Sequence, residues 1–220
     1  NSVMSYDGTE YFQTSTPMMY DYWIMQALYG QPTPSETDDP YTVNIDEYKI
    51  QPGTSGNYYR AMLHDDGGND SVTLSSSVIT SMDDGIYFNL NKGSFSNFLD
   101  STPITDAVTT TSYGNYQLSD FTQIETLTTT LGSDKIEATV DWAVTVNSLD
   151  GDDEITTEGY GAMISGGDGD DTLIVKTADL NALYAQSTSI SSGVIKYKDN
   201  DALFCEATDI EFISMIEGIG

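Results

Sequence analysis

Apolar and polar residues alternate with a period near two in short segments throughout the chain beyond residue 40. Most of these segments are bounded by Gly, Asp or Asn, which favour turns. The alternation predicts β-strands, because successive side chains of a strand point to opposite faces. The predicted strands are YTVNIDEYKI (41–50), SVTLSS (71–76), GIYFNLN (85–91), KIEATV (135–140), WAVTV (142–146) and TLIVK (172–176).

A helical period is found at residues 16–30, and a second short helix is predicted at 177–186, with Thr177 as its cap. In the first segment Thr16 can cap the helix, Pro17 fits the first helical position and Gly30 fits the left-handed stop. Its apolar positions at helical spacing are Tyr20, Trp23, Ile24, Ala27 and Leu28. The Pro- and Thr-rich residues 31–40 predict a linker between residues 1–30 and a β-domain at 41–220.

The pattern Gly-x-Asp-x-apolar recurs at residues 68–72, 132–136, 151–155 and 169–173, and its last three copies follow one another at a nearly constant interval. This period of about 18 residues is typical of one coil of a parallel β-helix or β-roll. We therefore predict a mainly β fold, a parallel β-roll preceded by a short α-helical segment. Its inward rows would contain Ile136, Ile155 and Leu173 on one side, and Val144 and Met163 on the other. A further similar pair, FTQIETL (121–127) and ATDIEFI (207–213), predicts two copies of one strand.

Residues 166–174 match the full nonapeptide Gly-Gly-x-Gly-x-Asp-x-apolar-x, the calcium-binding repeat of repeats-in-toxin proteins. Glycines let backbone carbonyls face inward and aspartates add charged oxygens, which suits an ion with about six to eight oxygen ligands. One loop supplies only part of that shell, so the equivalent loop of the preceding coil should face it. The predicted Ca2+ ligands are Asp134, Asp150, Asp152, Asp153, Gly167, Asp168, Gly169, Asp170 and Asp171. We expect roughly one to three ions along one edge; the alternative is a solvated acidic turn without an ion.

The composition supports cation binding and excludes other classes of partner. Seven Lys and Arg stand against 35 Asp and Glu, so the formal net charge is −28, which argues against nucleic acid and anionic membranes. The 15 tyrosines and abundant β-formers are not typical of a disordered acidic tail. The sequence has no apolar run of membrane-spanning length, and we expect secretion without a cleaved signal peptide. Its single cysteine, Cys205, is interpreted as a small core residue.

Several segments, in order, resemble serralysin-type secreted metalloproteases. SVMSY (2–6) resembles the Met-turn of that family, and TPMMYDYWIMQALYG (16–30) resembles the helix that closes its catalytic domain. The segments DDGGNDSVTLSSS, IYFNLNKGSFS and FTQIETLTTTLGSDKIEA resemble the path from that helix into the family's β-roll. The resemblance implies that Met4 lies beneath a zinc site and that Tyr6 provides a phenol near the metal. It also implies a protein substrate and secretion directed by an uncleaved C-terminal signal.

The zinc ligands that the resemblance implies are absent from these residues. The chain has no His-Glu-x-x-His motif, and His64 is its only histidine. Zinc catalysis needs about three protein ligands and a water, so we interpret His64 as a surface or second-shell residue. The sequence alone is not a zinc protease, and Zn2+ is expected only in a complete protease.

Three functions fit these observations. The chain is the calcium-stabilised C-terminal part of a serralysin-like zinc endopeptidase, or a non-enzymatic extracellular calcium-binding structural, surface or adhesion protein derived from that family. In the third possibility, a separate protein chain supplies the helix that carries the zinc ligands. The expected location is extracellular, and self-assembly or surface contacts are candidate interactions in the second case.

Overall fold

The structure is a computed structural model that describes residues 12–14, 16–30, 33, 36–47, 58–77, 79, 85–98, 116–158, 161–177, 189–191, 194–199 and 202–217. The described helices are α1 (Met19–Tyr29) and a 3-10 helix (Ile45–Glu47). The described strands, in chain order, are β1 (Phe12–Thr14), β2 (Pro40–Asn44), β3 (Tyr58–Leu63), β4 (Ser71–Ser75), β5 (Tyr87–Asn89), β6 (Phe95–Ser96), β7 (Tyr116–Leu118), β8 (Thr126–Thr128), β9 (Lys135–Ala138), β10 (Thr145–Asn147), β11 (Glu154–Thr157), β12 (Ala162–Ser165), β13 (Thr172–Thr177), β14 (Ser189–Ser191), β15 (Val194–Asp199), β16 (Ala202–Thr208) and β17 (Phe212–Glu217). The predicted mainly β class is confirmed for these residues.

The strands form three sheets, ordered β1-β3-β7-β6, β14-β15-β16-β12-β10-β8-β4-β2 and β17-β13-β11-β9-β5. From β8 to β13, successive strands of the chain alternate between the eight-stranded and the five-stranded sheet. The five-stranded sheet is parallel throughout. The eight-stranded sheet is parallel except where β15 pairs with β16 and β14.

The predicted inward row of the five-stranded sheet is confirmed. Ile155 pairs with Ile136 on one side and with Leu173 on the other, and all three side chains are fully buried. They belong to the same hydrophobic cluster as Val146 and Ile164 of the eight-stranded sheet. The parallel pairing therefore stacks equivalent residues of successive repeats directly on one another.

The predicted position of Met163 is wrong. Strand β12 pairs with β10 so that Met163 lies beside Thr145 and Ile164 beside Val146. The prediction placed Met163 beside Val144, one residue away. A shift of one residue exchanges the two faces of a strand, so Met163 is 50% exposed and Ile164 is 3% exposed. The predicted alignment of Val144 with Met163 assumes an interval of 19 residues, whereas these two strands are paired at an interval of 18, the same interval that joins Asp150 to Asp168.

Helix α1 begins later than predicted and turns another face to the sheets. Its first turn is closed by the Asp21 carboxylate, which accepts the Met18 N–H at 2.9 Å, while the Thr16 hydroxyl accepts the Met62 N–H at 2.7 Å. Met18 and Met19 are buried against Met62. The predicted apolar face is exposed and contains Tyr20, Trp23, Ile24, Ala27 and Leu28. Beyond Thr177, the predicted helix at 177–186 lies outside the described residues.

Candidate metal centre

The two acidic loops predicted to face each other are adjacent in the structure. Asp150 and Asp168 form a parallel β-bridge. The Gly151 N–H donates to the Asp168 carbonyl at 2.8 Å, and the Asp168 N–H donates to the Leu149 carbonyl at 3.0 Å. The nonapeptide turn thus lies directly on the equivalent turn of the preceding coil.

The aspartates of these loops fall into an exposed and a buried set. The exposed set comprises Asp150, Asp152, Asp168 and Asp170. Within it, the Asp152 carboxylate accepts the Asp170 N–H at 2.9 Å. Asp134, Asp153 and Asp171 form the buried set, with exposed fractions of 1%, 2% and 0%. Only the buried set is held in a low-dielectric environment, where charge is costly.

The buried aspartates and Glu211 form a row that we call the carboxylate ladder. Asp153 accepts the Asp134 N–H at 2.7 Å, and Asp171 accepts the Asp153 N–H at 2.9 Å. Glu211 accepts the Asp171 N–H at 2.8 Å, and Asp134 accepts the Ile86 N–H at 2.9 Å. Each carboxylate therefore holds the backbone of the coil that precedes it.

A shorter row of the same kind lies beside the eight-stranded sheet. Asp70 accepts the Asp39 N–H at 2.7 Å, and Glu125 accepts the Asp70 N–H at 2.7 Å. The similar segments 121–127 and 207–213 therefore provide equivalent glutamates, Glu125 and Glu211. They are not two copies of one strand, since β8 and β17 belong to different sheets.

Three aspartates of these rows leave one buried carboxylate oxygen without a hydrogen-bond partner: Asp70 Oδ2, Asp153 Oδ2 and Asp171 Oδ2. Burial is the main cause that raises the pKa of Asp153 to about 9. Burial likewise raises the pKa of Asp70 to about 6 and that of Asp171 to about 6. A buried, unpaired carboxylate costs about 1–3 kcal/mol or more, unless a proton or a cation neutralises it.

Asp134 differs from the other Gly-x-Asp aspartates, although it was predicted as a ligand. Its carboxylate accepts the Thr130 N–H at 2.8 Å as well as the Thr130 hydroxyl at 2.9 Å. Both oxygens are satisfied within the protein, and burial still raises the pKa of this carboxyl. Asp134 consequently has less free coordinating capacity for a cation than Asp153 or Asp171.

Two oxygen atoms lie close together beside Gly166. A methyl group at Gly166 would collide with both the Asp209 carbonyl oxygen and Asp171 Oδ2, so both oxygens flank the same point. Carbonyl and carboxylate oxygens are the donors that Ca2+ prefers. The unpartnered oxygen of Asp171 and this neighbouring carbonyl are donors of the type that Ca2+ uses, and they amount to two of the roughly six to eight oxygens in its shell.

A second candidate site was missed in the sequence: Asp39, Asp65 and Asp70 have ligand atoms within 4.8 Å of one another. Asp65 and Asp70 are 4% and 1% exposed. Asp70 belongs to a Gly-x-Asp-x-apolar repeat, which the sequence reveals. Asp39 lies in the predicted linker and Asp65 follows β3, and neither belongs to a repeat. Chain spacing alone does not bring these two residues to Asp70.

Tyr41 of β2 lies at this second cluster. Its phenol donates a hydrogen bond to the Asp65 carboxylate. Burial, followed by this hydrogen bond, raises the pKa of the Tyr41 phenol above its usual range. The phenol is therefore a proton donor at neutral pH.

Leu149 has a strained backbone in the turn beneath the nonapeptide. Its φ is +75°, and it occupies the turn position that Gly167, with φ +105°, occupies one coil later. The left-handed region costs a non-glycine residue about 1–2 kcal/mol. We expect Leu149→Gly to stabilise the protein by about 0.5–1 kcal/mol after the greater unfolded-state entropy of glycine is included. Denaturant unfolding with saturating Ca2+ measures this change, and a loss of stability would contradict the strain argument.

Within the part of the chain that the structure describes, His64 belongs to no group of side chains that could hold a metal ion. His64 Nδ1 lies 2.9 Å from the Ser119 hydroxyl, and its ring lies 4.0 Å from that of Tyr22. Burial lowers the pKa of His64. Met4 and Tyr6 lie outside the described residues. Cys205 is confirmed as a core residue, since it is fully buried.

No protein-family model matches the chain, and no curated protein matches it either. Among the described residues, no helix has the length and apolar character that crossing a bilayer requires.

Proposed function

We propose that this chain is a Ca2+-binding β-roll module whose folding depends on the cation. The observation that supports this most strongly is the set of unpartnered oxygens on Asp70, Asp153 and Asp171. All three aspartates end a Gly-x-Asp turn and are almost fully buried. Ca2+ binds oxygen ligands in flexible geometry, and it would neutralise charge that water does not reach.

We propose an extracellular location for the module, where calcium is abundant enough to occupy weak sites. Extracellular calcium modules bind with dissociation constants of about 10⁻⁴ to 10⁻³ M. Millimolar calcium outside cells would keep such sites loaded and add their binding energy to stability. The net charge of −28 supports the same dependence, because cations reduce the self-repulsion of the folded chain.

We further propose that the module is the C-terminal part of a serralysin-like zinc endopeptidase. The exposed apolar side chains of α1 support this proposal, since Trp23, Ile24 and Leu28 are 45%, 50% and 68% exposed. An exposed apolar patch of this kind favours contact with another domain. The zinc ligands would have to come from other residues, because this chain has one histidine.

The calcium proposal predicts a saturable, calcium-dependent rise in stability. We expect Ca2+ at about 100 times its dissociation constant to add about 3 kcal/mol per site. Asp153→Asn combined with Asp171→Asn should remove most of the rise attributable to the carboxylate ladder. Asp141→Asn, at an exposed turn position, should leave it unchanged. Thermal unfolding followed by circular dichroism, with Ca2+ and with a chelator, measures these changes; identical curves would contradict calcium binding.

Zinc content and casein cleavage by the naturally produced protein separate the protease from a non-enzymatic structural or surface protein. One zinc per molecule with cleavage supports the protease. A zinc-free product that binds calcium and does not cleave casein supports the structural alternative.

A further inference from the structure

Tyr41 connects the second acidic cluster to the hydrophobic core. It lies on β2 and pairs with Val72 of β4, and its ring packs against the main hydrophobic cluster. The ring is therefore fixed by packing, while its hydroxyl reaches the Asp65 carboxylate.

The Asp65 carboxylate is held from two sides. Oδ1 accepts the Gly67 N–H at 2.8 Å, and Oδ2 accepts the Tyr41 hydroxyl. The Asp65 backbone is fixed as well, since its N–H donates to the Thr122 hydroxyl at 3.0 Å. These contacts aim the carboxylate at the cluster and leave each oxygen a further lone pair for a ligand.

Such orientation is needed because the three carboxylates repel one another. Two unit charges about 4.8 Å apart repel by roughly 3–4 kcal/mol at an effective dielectric near 20. A carboxylate without a fixed donor would rotate away from its neighbours. Asp39 stands two residues before Tyr41, and its N–H donates to Asp70 Oδ1, so one short segment contributes both a ligand and the group that orients another ligand. The other oxygen of Asp70, Oδ2, is buried and has no hydrogen-bond partner.

We propose that Tyr41 is the positioning residue of the Asp39–Asp65–Asp70 cation site, holding Asp65 in its ligating orientation and coupling cation binding to β2. This inference rests on the calcium binding proposed above. Hydrogen-bond partners of metal ligands typically account for about 10–100-fold in metal affinity. The phenol acts through Asp65, and the cation is held by the carboxylates.

Calorimetric titration with Ca2+ tests this role. The calcium-binding step that disappears in Asp70→Asn identifies the Asp39–Asp65–Asp70 site. Tyr41→Phe should raise the dissociation constant of that step at least about tenfold. The matched control is Tyr87→Phe, which removes a different phenol, one that accepts a hydrogen bond from Asn89 at 2.8 Å away from the cluster. Its calcium affinity should equal that of the wild type.

A purely structural role for Tyr41 gives a different result. Tyr41→Phe would then lower the stability of the calcium-free protein while leaving the calcium dissociation constant unchanged, and this outcome, like tighter binding, overturns the proposal. Positioning also predicts that Ca2+ slows hydrogen exchange of the β2 amides in the wild type more than in Tyr41→Phe. If the wild type itself shows no saturable calcium binding, the proposed function fails first.

Discussion

Without divalent cations, the protein should be less stable at about pH 8 than at about pH 5, by on the order of 3 kcal/mol. The cause is Asp153, whose pKa rises from 3.8 to about 9 through burial. Because the folded-state pKa lies above the unfolded value, folding retains a proton that the unfolded chain releases. That stability is fully present below the unfolded pKa and is lost as the pH rises through the folded one. Asp171, with a pKa raised to about 6, acts in the same direction over the lower part of this range.

Saturating Ca2+ should reverse this dependence. Metal ligands bind in their deprotonated form, so the stabilisation by calcium grows with pH. Urea unfolding at both pH values, once with a chelator and once with Ca2+, measures how the free energy of unfolding changes with pH under each condition. Asp153→Asn keeps an oxygen that can accept the Asp134 N–H, and it should reduce the pH dependence of stability that is measured with the chelator. Parallel curves with and without calcium would contradict the link between these carboxylates and the cation.

Gly167→Ala should be among the most damaging single substitutions, at roughly 4 kcal/mol or more. Gly167 has a φ of +105°, and a methyl group there would collide with the carbonyl of Leu149 in the preceding coil. The stacked turns leave no space for the methyl group, because a backbone carbonyl cannot move without breaking the adjacent hydrogen bonds.

Two other glycines provide matched controls for the unfavourable backbone conformation. Gly30 has a φ of +86° and a ψ of 170°, with nothing within 4 Å of an added methyl group, so Gly30→Ala should cost about 1–3 kcal/mol. Gly161 has a φ of +79° and would place a methyl group 3.3 Å from the Ala143 Cβ, which predicts an intermediate cost. Denaturant unfolding with Ca2+ measures the series. Equal costs for Gly167→Ala and Gly30→Ala would show that backbone conformation, and not stacking, determines the effect.

The sequence predicts the features that repeat at a fixed spacing. Ile136, Ile155 and Leu173 recur at a nearly constant interval, and this interval places them in one row because parallel strands stack equivalent positions. The same spacing brings the loops of Asp153 and Asp171 together. Where a Gly-x-Asp turn fixes the register of the following strand, the alternation of apolar and polar residues also predicts which side chains are buried.

Features that depend on irregular turns were not predictable in this way. Met163 points outward because β12 pairs with β10 at an interval of 18 residues, and not at the interval of 19 that would align it with Val144. The Asp39–Asp65–Asp70 cluster joins residues from three turns without a common period. Helix α1 has an apolar stripe, yet this segment packs through Met18, Met19 and Tyr22, because helical periodicity does not specify which neighbour a helix face will contact.

The carboxylate ladder gives assembly of the protein a direction. Each buried aspartate N–H is bound by a carboxylate that lies later in the chain, from Asp134 to Asp153, then Asp171 and finally Glu211. During synthesis from the N-terminus, each turn of the ladder therefore lacks its acceptor until the following repeat has been made. Among the described residues, Glu211 is the last of these acceptors in the chain.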